Sequence, residues 1–234
     1  MRKIDLEKYI SDVKNAEKIE EVGKKSIIIG ITSLVKTLPV VGSIIDGIEE
    51  DAKNIISAFV EDKRDCLISY INSGEENITT ERLKDVSFIM NLCKTVEAVD
   101  RLSTYDKIQY FANLFKNSYL KPEKTEASLY DEYFELLREL SYREITILYQ
   151  IYEYEISLPS HEPFNWNGLY GQIASSEEEI ESLKATLMKL NGRGLLYFNT
   201  DASVHIIAEN SPPPKRGTTK YLKNFIQKII DIKN

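Results

Sequence analysis

The chain has 234 residues, of which 42% are hydrophobic and 29% charged, with a net charge of -7 and a mean hydropathy of -0.31. Such a chain can bury one or two cores, and its composition excludes disordered and fibrous classes. Cys66 and Cys93 form no CxxC motif and the two histidines lie far from both, so we expect neither a disulfide framework nor a structural zinc site. The first residues lack the apolar region of a secretory signal, so we expect a cytoplasmic protein.

Charge is distributed unevenly along the chain. Residues 1–125 have a balance of -2, residues 126–182 of -11, and residues 183–234 of +6. An acidic segment followed by a basic one favours head-to-tail or self-complementary contacts between copies, which high salt would weaken.

Apolar positions recur every three or four residues over the first 155 residues, which predicts helix almost throughout. The predicted helices cover residues 4–22, 26–38, about 41–71, Thr79 or Thr80 to about 102, Ser103 or Thr104 to Lys121, 126–140 and 142–155. Ser141 and Glu144 have the spacing of a capping box at the start of the last of these helices.

The pattern changes after Ile156, where shorter elements alternate with loops. We predict helices over 165–173 and 176–190, a β-hairpin formed by strands 195–198 and 204–207, a polyproline-like linker at 211–214 and a final helix over 221–232.

This order of elements resembles a winged-helix domain over residues 135–232. The residues that carry the resemblance are Leu140, Ser141, Glu144, Ile147 and Leu148 in the first helix, and Leu183, Leu187, Leu190, Gly194, Leu195 and Leu196 at the junction of the third helix and the wing. The resulting fold prediction is a mainly α protein with two domains. Residues 1–125 form an N-terminal helical bundle with an apolar hairpin at 26–48, and residues 126–234 form a winged-helix-like (α+β) domain with a small β-hairpin and a C-terminal helix.

A second resemblance concerns the helical part of the chain. Residues 106–119, 133–141 and 144–148 are similar to a bacterial helical family described as abortive-infection alpha. This resemblance implies a role in phage defence and supplies no catalytic residue.

Basic residues near the third helix and the wing are candidate contacts for a partner or for nucleic acid, because winged helices grip phosphates with such side chains. These candidates are Lys184, Lys189, Arg193, Lys215, Arg216, Lys220 and Lys223. Glu177, Glu178, Glu179 and Glu181 occupy the first turns of the same helix. They would repel phosphate, and they also suit the positive end of the helix dipole.

Aromatic residues form a second group of candidates. Nine of the 14 tyrosines lie between residues 105 and 154. Tyr149, Tyr152, Tyr154 and Trp166 are candidate interface residues, because large amphipathic rings are enriched at interfaces. Packing between helices is the alternative role for the same side chains.

The apolar stretch at residues 26–45 is interrupted only by Lys36 and is long enough to raise the question of a membrane. Its candidate membrane or core residues are Ile28, Ile31, Leu34 and Val35. One lysine and Pro39 offset the apolar residues in the insertion energy, so a buried hairpin bent at Pro39 is the favoured interpretation.

No nucleotide-binding loop, GxGxxG or HExxH motif is present in the sequence. We therefore predict a non-enzymatic bacterial protein-interaction or adaptor protein of phage defence, with no catalytic, metal or cofactor residues and no small-molecule ligand. It would use the winged-helix-like domain to bind a protein partner or itself. The alternatives are a DNA-binding transcriptional regulator and a defence effector that perturbs membranes through residues 26–48.

Overall fold

The computed structural model describes residues 31–32, 35–36, 38, 50–73, 85–121, 125–159, 162, 164–197 and 217–230. Of these residues 78% are helical, which confirms the prediction of a mainly α protein. They divide into two compact units. Unit 1 contains the described residues up to Glu139 together with residues 228–230, and unit 2 runs from Leu140 to Gln227. The predicted domain boundary, after residue 125, lies one helix before the division between these two units.

Unit 1 is a group of packed helices with an additional π-helical turn. Its elements are α1 (Glu50–Asn72), α2 (Val86–Asp100), α3 (Ile108–Phe115), the π-helical turn Lys116–Leu120 that continues α3, and α4 (Ala127–Glu139). Helix α1 packs against α2 and α3, and α3 also packs against α2 and α4. The predicted helix at 4–22 lies outside the described residues.

An aromatic cluster fills the centre of unit 1. Its members are Phe88, Phe111, Phe115, Tyr119, Tyr130 and Phe134, with neighbouring ring centroids 5.0–6.2 Å apart. The two tyrosine hydroxyls have polar partners: Asn91 Nδ2 donates to the Tyr119 hydroxyl at 2.5 Å, and Thr95 Oγ1 lies 3.0 Å from the Tyr130 hydroxyl. Burial raises the pKa of both phenols, so both remain neutral hydrogen-bonding groups.

Two adjacent cations on α1, Lys63 and Arg64, are buried in unit 1 at 1% and 4% exposure. Arg64 makes a two-pronged ion pair with the buried Asp100 carboxylate, with N to O distances of 2.9 and 2.5 Å. Its Nη1 also donates to the carbonyls of Val35 and Leu38, at 3.3 and 2.6 Å. One guanidinium thus joins α1, the end of α2 and the chain at 35–38.

The Lys63 ammonium caps the C-terminal end of α2. It donates to the carbonyls of Asp100 and Leu102, at 2.7 Å each, and lies 4.7 Å from the centre of the Phe59 ring. Carbonyls at a helix end have no partner within the helix, and a cation there also interacts favourably with the helix dipole. Burial lowers the pKa of Lys63, while the Asp100 carboxylate acts in the opposite direction.

Unit 2 contains α5 (Tyr142–Ser157), α6 (Trp166–Ile173), α7 (Glu177–Gly192) and all but the end of α8 (Lys220–Ile229). The predicted capping box is confirmed: Ser141 Oγ accepts from the Glu144 amide, and Glu144 Oε2 accepts from the Ser141 amide. Ser176 caps α7 through its hydroxyl, as its position before three glutamates predicts.

The winged-helix (α+β) prediction is wrong. The described part of the chain contains no strand, and in place of a hairpin Leu196 forms a single antiparallel bridge with Thr218. Gly194, at φ 71°, turns the chain after α7, so that Leu195 and Leu196 are buried. The backbone groups of 195–197 then bond with 217–219, through Tyr197 N to Gly217 O at 2.9 Å and Thr219 N to Leu195 O at 3.1 Å. The predicted second strand, 204–207, lies outside the described residues.

Two predicted helix starts are also wrong. Helix α2 begins at Val86 with Asp85 as its cap, whereas Thr79 or Thr80 was the predicted cap. Helix α3 begins at Ile108 after Lys107, which makes no side-chain cap, whereas Ser103 or Thr104 was the predicted cap. The intervening residues form turns, and Tyr105 instead donates from its hydroxyl to Asp62. The hydrogen bond from Tyr105 to Asp62 thus joins the turn before α3 to helix α1.

Replacement of Asp100 by Asn tests the buried ion pair. Because it leaves the Arg64 charge buried without its counterion, we expect a loss of about 3–5 kcal/mol in the free energy of unfolding. The matched control is Asp65→Asn, which removes the exposed ion pair with Lys36 (3.2 Å) and should cost at most about 1 kcal/mol. Urea unfolding of both variants measures this, and equal losses would contradict the assignment.

Candidate functional site

The structure distributes the predicted basic residues among several separate contacts in unit 2. Lys189 Nζ lies 2.7 Å from the buried carboxylate of Glu144. Lys184 Nζ lies 5.7 Å from the centre of the Tyr170 ring, Lys220 is exposed, and Arg193 follows the last turn of α7. Lys215 and Arg216 lie outside the described residues.

Lys223 belongs to a cluster centred on Glu155, a residue that the sequence analysis did not single out. Glu155 Oε1 accepts from Lys223 Nζ at 2.5 Å. Glu155 Oε2 accepts from the Gly217 amide (3.2 Å), the Thr218 amide (2.8 Å) and the Thr218 hydroxyl (2.5 Å). One carboxylate therefore holds the backbone that leads into α8 and the first turn of that helix. No local sequence signal marks it, because its partners are more than 60 residues away.

The carboxylates of Glu155 and Glu144 are both stabilised in their charged form. Burial by itself would raise the pKa of Glu155, but the hydrogen bonds from Lys223 and Thr218 together outweigh it, so the pKa is lowered. The pKa of Glu144 is lowered in the same way, since bonds from Lys189 and Ser141 outweigh burial. Each glutamate is therefore an anionic anchor at neutral pH.

The backbone at Gly217 lies in close contact with the buried ring of Phe164. A Cβ placed at residue 217 would lie 2.5 Å from Cζ of that ring, so any larger residue would displace it. Phe164 in turn contacts Tyr154 and Trp166 edge to face, with ring centroids 5.3 and 4.7 Å apart. The same aromatic group therefore also positions the segment that Glu155 binds.

The candidate aromatic residues have different environments. Tyr152 is buried at 7% exposure, whereas Tyr149, Tyr154 and Trp166 are half-buried. Tyr154 and Trp166 pack on Phe164, so they serve the internal packing of unit 2. The exposed apolar surface of unit 2 is formed by other residues, namely Tyr142, Ile156, Met188 and Tyr197, each about half exposed.

The acidic residues predicted at the start of α7 are exposed. Glu177, Glu178, Glu179 and Glu181 all face solvent, and Glu179 Oε2 accepts from the amide of Ser175. The opposite face of α7 is buried through Leu183, Leu187 and Leu190. Helix α7 therefore presents a charged outer face that includes the exposed Met188.

The apolar segment at 26–48 is described at a few positions. Ile31 and Val35 are fully buried in unit 1, and Arg64 bonds to the Val35 carbonyl. Ile28 and Leu34 lie outside the described residues. None of the described helices has the length and apolar character needed to span a bilayer.

No family model matches the chain, and no curated protein or solved structure matches it either. The resemblance to the abortive-infection family therefore stays a prediction.

The pH dependence of stability tests the role of Glu155. Its lowered pKa stabilises the folded state above the pKa of an unfolded glutamate, near 4.3, and this contribution disappears as pH falls through the folded pKa. We expect Glu155→Gln to reduce the unfolding free energy by about 1.5–3 kcal/mol at pH 7. The difference from wild type should shrink below about pH 4.

The control is Glu153→Gln, which changes an exposed carboxylate on the same helix. Chemical unfolding at a series of pH values measures both variants. If Glu155→Gln lost no more stability than Glu153→Gln at neutral pH, the anchoring role would be wrong.

Proposed function

We propose that the protein is a non-enzymatic protein-interaction or adaptor protein that binds a protein partner or a second copy of itself. The observation that carries this proposal is the outer face of α7, where the side chain of Met188 is exposed on a helix that also carries exposed carboxylates and lysines. Exposed apolar side chains within a charged rim are typical of protein interfaces.

Three ion pairs among the described residues support the same proposal, because each joins groups within one unit. Arg64 pairs with Asp100, Glu144 with Lys189, and Glu155 with Lys223. Groups fixed in this way hold helices together, and their charges are satisfied without a substrate. The exposed side chains of unit 2 are of the kinds found at protein interfaces.

Binding of DNA is disfavoured by the same contacts. Lys189 and Lys223 are partly neutralised by glutamates of the chain, and four exposed glutamates occupy the first turns of α7. Phosphate groups approaching α7 would meet these carboxylates.

Light scattering after size-exclusion chromatography tests the choice between protein and DNA as partner. Mixed with a random DNA duplex at about 50 mM salt, the protein should elute at its own mass, with no complex that disappears at about 200 mM salt. A DNA complex that weakens steeply over this range would contradict the proposal. The matched positive control is the same column run with a basic DNA-binding protein.

The proposed setting is phage defence, and it rests on the resemblance of residues 106–119, 133–141 and 144–148 to the abortive-infection family. Bacteria that express the chain should give fewer phage plaques than bacteria that express Asp100→Asn, which is designed to destabilise unit 1. Equal plaque numbers over a panel of phages would remove this setting and leave the interaction proposal in place.

A further inference from the structure

Helix α7 has an outward stripe with the spacing of a helix-helix interface. Glu178, Glu181, Ala185, Met188 and Gly192 are all exposed and follow one another at steps of three, four, three and four residues. Such steps place side chains along one face of a helix. Ala185 is at the centre of this stripe, and Met188, one step along it, is 53% exposed. We refer to these five residues as the α7 stripe.

Charge along α7 changes sign near the middle of the helix. The acids Glu177, Glu178, Glu179 and Glu181 precede the bases Lys184, Lys189 and Arg193. A helix with this polarity is complementary to itself when a second copy runs antiparallel. In a parallel pair, acids would face acids and bases would face bases.

We propose that the α7 stripe binds the α7 stripe of a second copy of this chain, antiparallel, around a two-fold axis at Ala185. This inference rests on the proposed interaction function and names its surface and its partner. The axis places Glu181 of one copy opposite Lys189 of the other, and Glu177 opposite Arg193. By symmetry each of these pairs occurs twice, as a two-fold interface requires.

The small residues of the stripe suit this arrangement. Ala185 lies at the axis, and Gly192 lies opposite Glu178 of the partner. Among the residues that the structure describes, a Cβ at residue 192 would meet nothing within 4 Å, which leaves space beside Gly192 for a partner. Met188 then packs across the axis beside Ala185, where its flexible side chain fills the remaining gap.

Residues of α5 extend the same surface. Arg143 Nη2 donates to Ser182 Oγ of α7 at 3.2 Å, and Lys189 bonds to Glu144. The neighbouring Tyr142 on α5 is 47% exposed.

The size of the surface sets the expected affinity. Helix α7 has 16 residues and is therefore about 24 Å long. One helix pair of this length buries less than the roughly 800 Å² per partner of a standard interface, so we expect micromolar or weaker binding. Because the charge pairs are exposed, dimerisation should also weaken between about 0.1 and 1 M salt.

Sedimentation equilibrium over a wide concentration range measures the dimer. Met188→Glu places a carboxylate opposite Ser182 of the partner and one residue from its Glu181, where like charges repel, and should raise the dissociation constant about tenfold or more. The matched control is Met90→Glu, which changes a methionine of α2 that is 61% exposed. It should leave the dissociation constant unchanged, and circular dichroism verifies that both variants keep their helix content.

Cross-linking tests the orientation of the two helices. In a Cys66→Ser, Cys93→Ser background, Ala185→Cys should link to itself through a short thiol cross-linker, because packed helix axes lie about 8–10 Å apart. Two chains that both carry Glu178→Cys should not link to each other, because the antiparallel pair holds the two cysteines about 21 Å apart along the helix direction. Glu178→Cys mixed with Gly192→Cys should link, because these two positions lie opposite each other.

Each outcome decides between the proposals. A wild-type monomer at all concentrations, a Met90→Glu effect equal to that of Met188→Glu, or self-linking of Glu178→Cys would overturn the antiparallel α7 interface. A dimer that persists in Met188→Glu would place self-association at another surface, so the interaction function would survive while this interface fails. DNA binding in the light-scattering experiment would instead remove the proposed function itself.

Discussion

The ion pair between Arg64 and Asp100 is the contact on which the packing of unit 1 depends. Its guanidinium binds the carboxylate at the end of α2 and two carbonyls of the chain at 35–38, while the adjacent Lys63 caps α2. Removing charges from water is expensive, and a buried pair is stable only when every donor and acceptor has a partner. Because these cations are bonded so fully, they specify how α1, the end of α2 and the chain at 35–38 meet.

Unit 2 uses the same principle with the charges reversed. Here carboxylates hold the helices together. Glu144 completes the capping box of α5 and forms an ion pair with Lys189 of α7. Glu155, near the end of α5, accepts hydrogen bonds from Thr218, just before α8, and from Lys223 in α8. The lysines that the sequence analysis grouped as one basic surface are thereby divided among structural contacts. What remains outward on α7 is a helix face with glutamates in its first turns and basic residues towards its end, a pattern that a second copy can complete.

Local interactions were predictable from the sequence, and distant ones were not. The capping box of Ser141 and Glu144, the cap at Ser176 and the extents of α5 to α7 follow from residues three or four positions apart, so periodicity and capping rules located them. The prediction of a hairpin was wrong because Leu195 and Leu196 suit a β-strand and a buried irregular segment equally well. The partner at Thr218 that decides between them is 22 residues away. Arg64 and Asp100 are 36 residues apart, and Glu155 and Thr218 are 63 apart, so no local pattern joins them.

Site-resolved hydrogen exchange under native conditions tests most directly whether the buried cations hold unit 1 together. The account predicts that amides beside the ion pair, such as those of Leu67 in α1 and Val99 in α2, exchange only with global unfolding, as slowly as those of Phe111 and Phe115 in the aromatic cluster. Much faster exchange at Leu67 and Val99 than at the two phenylalanines would contradict it, because the helix ends would then open while the aromatic core stayed closed.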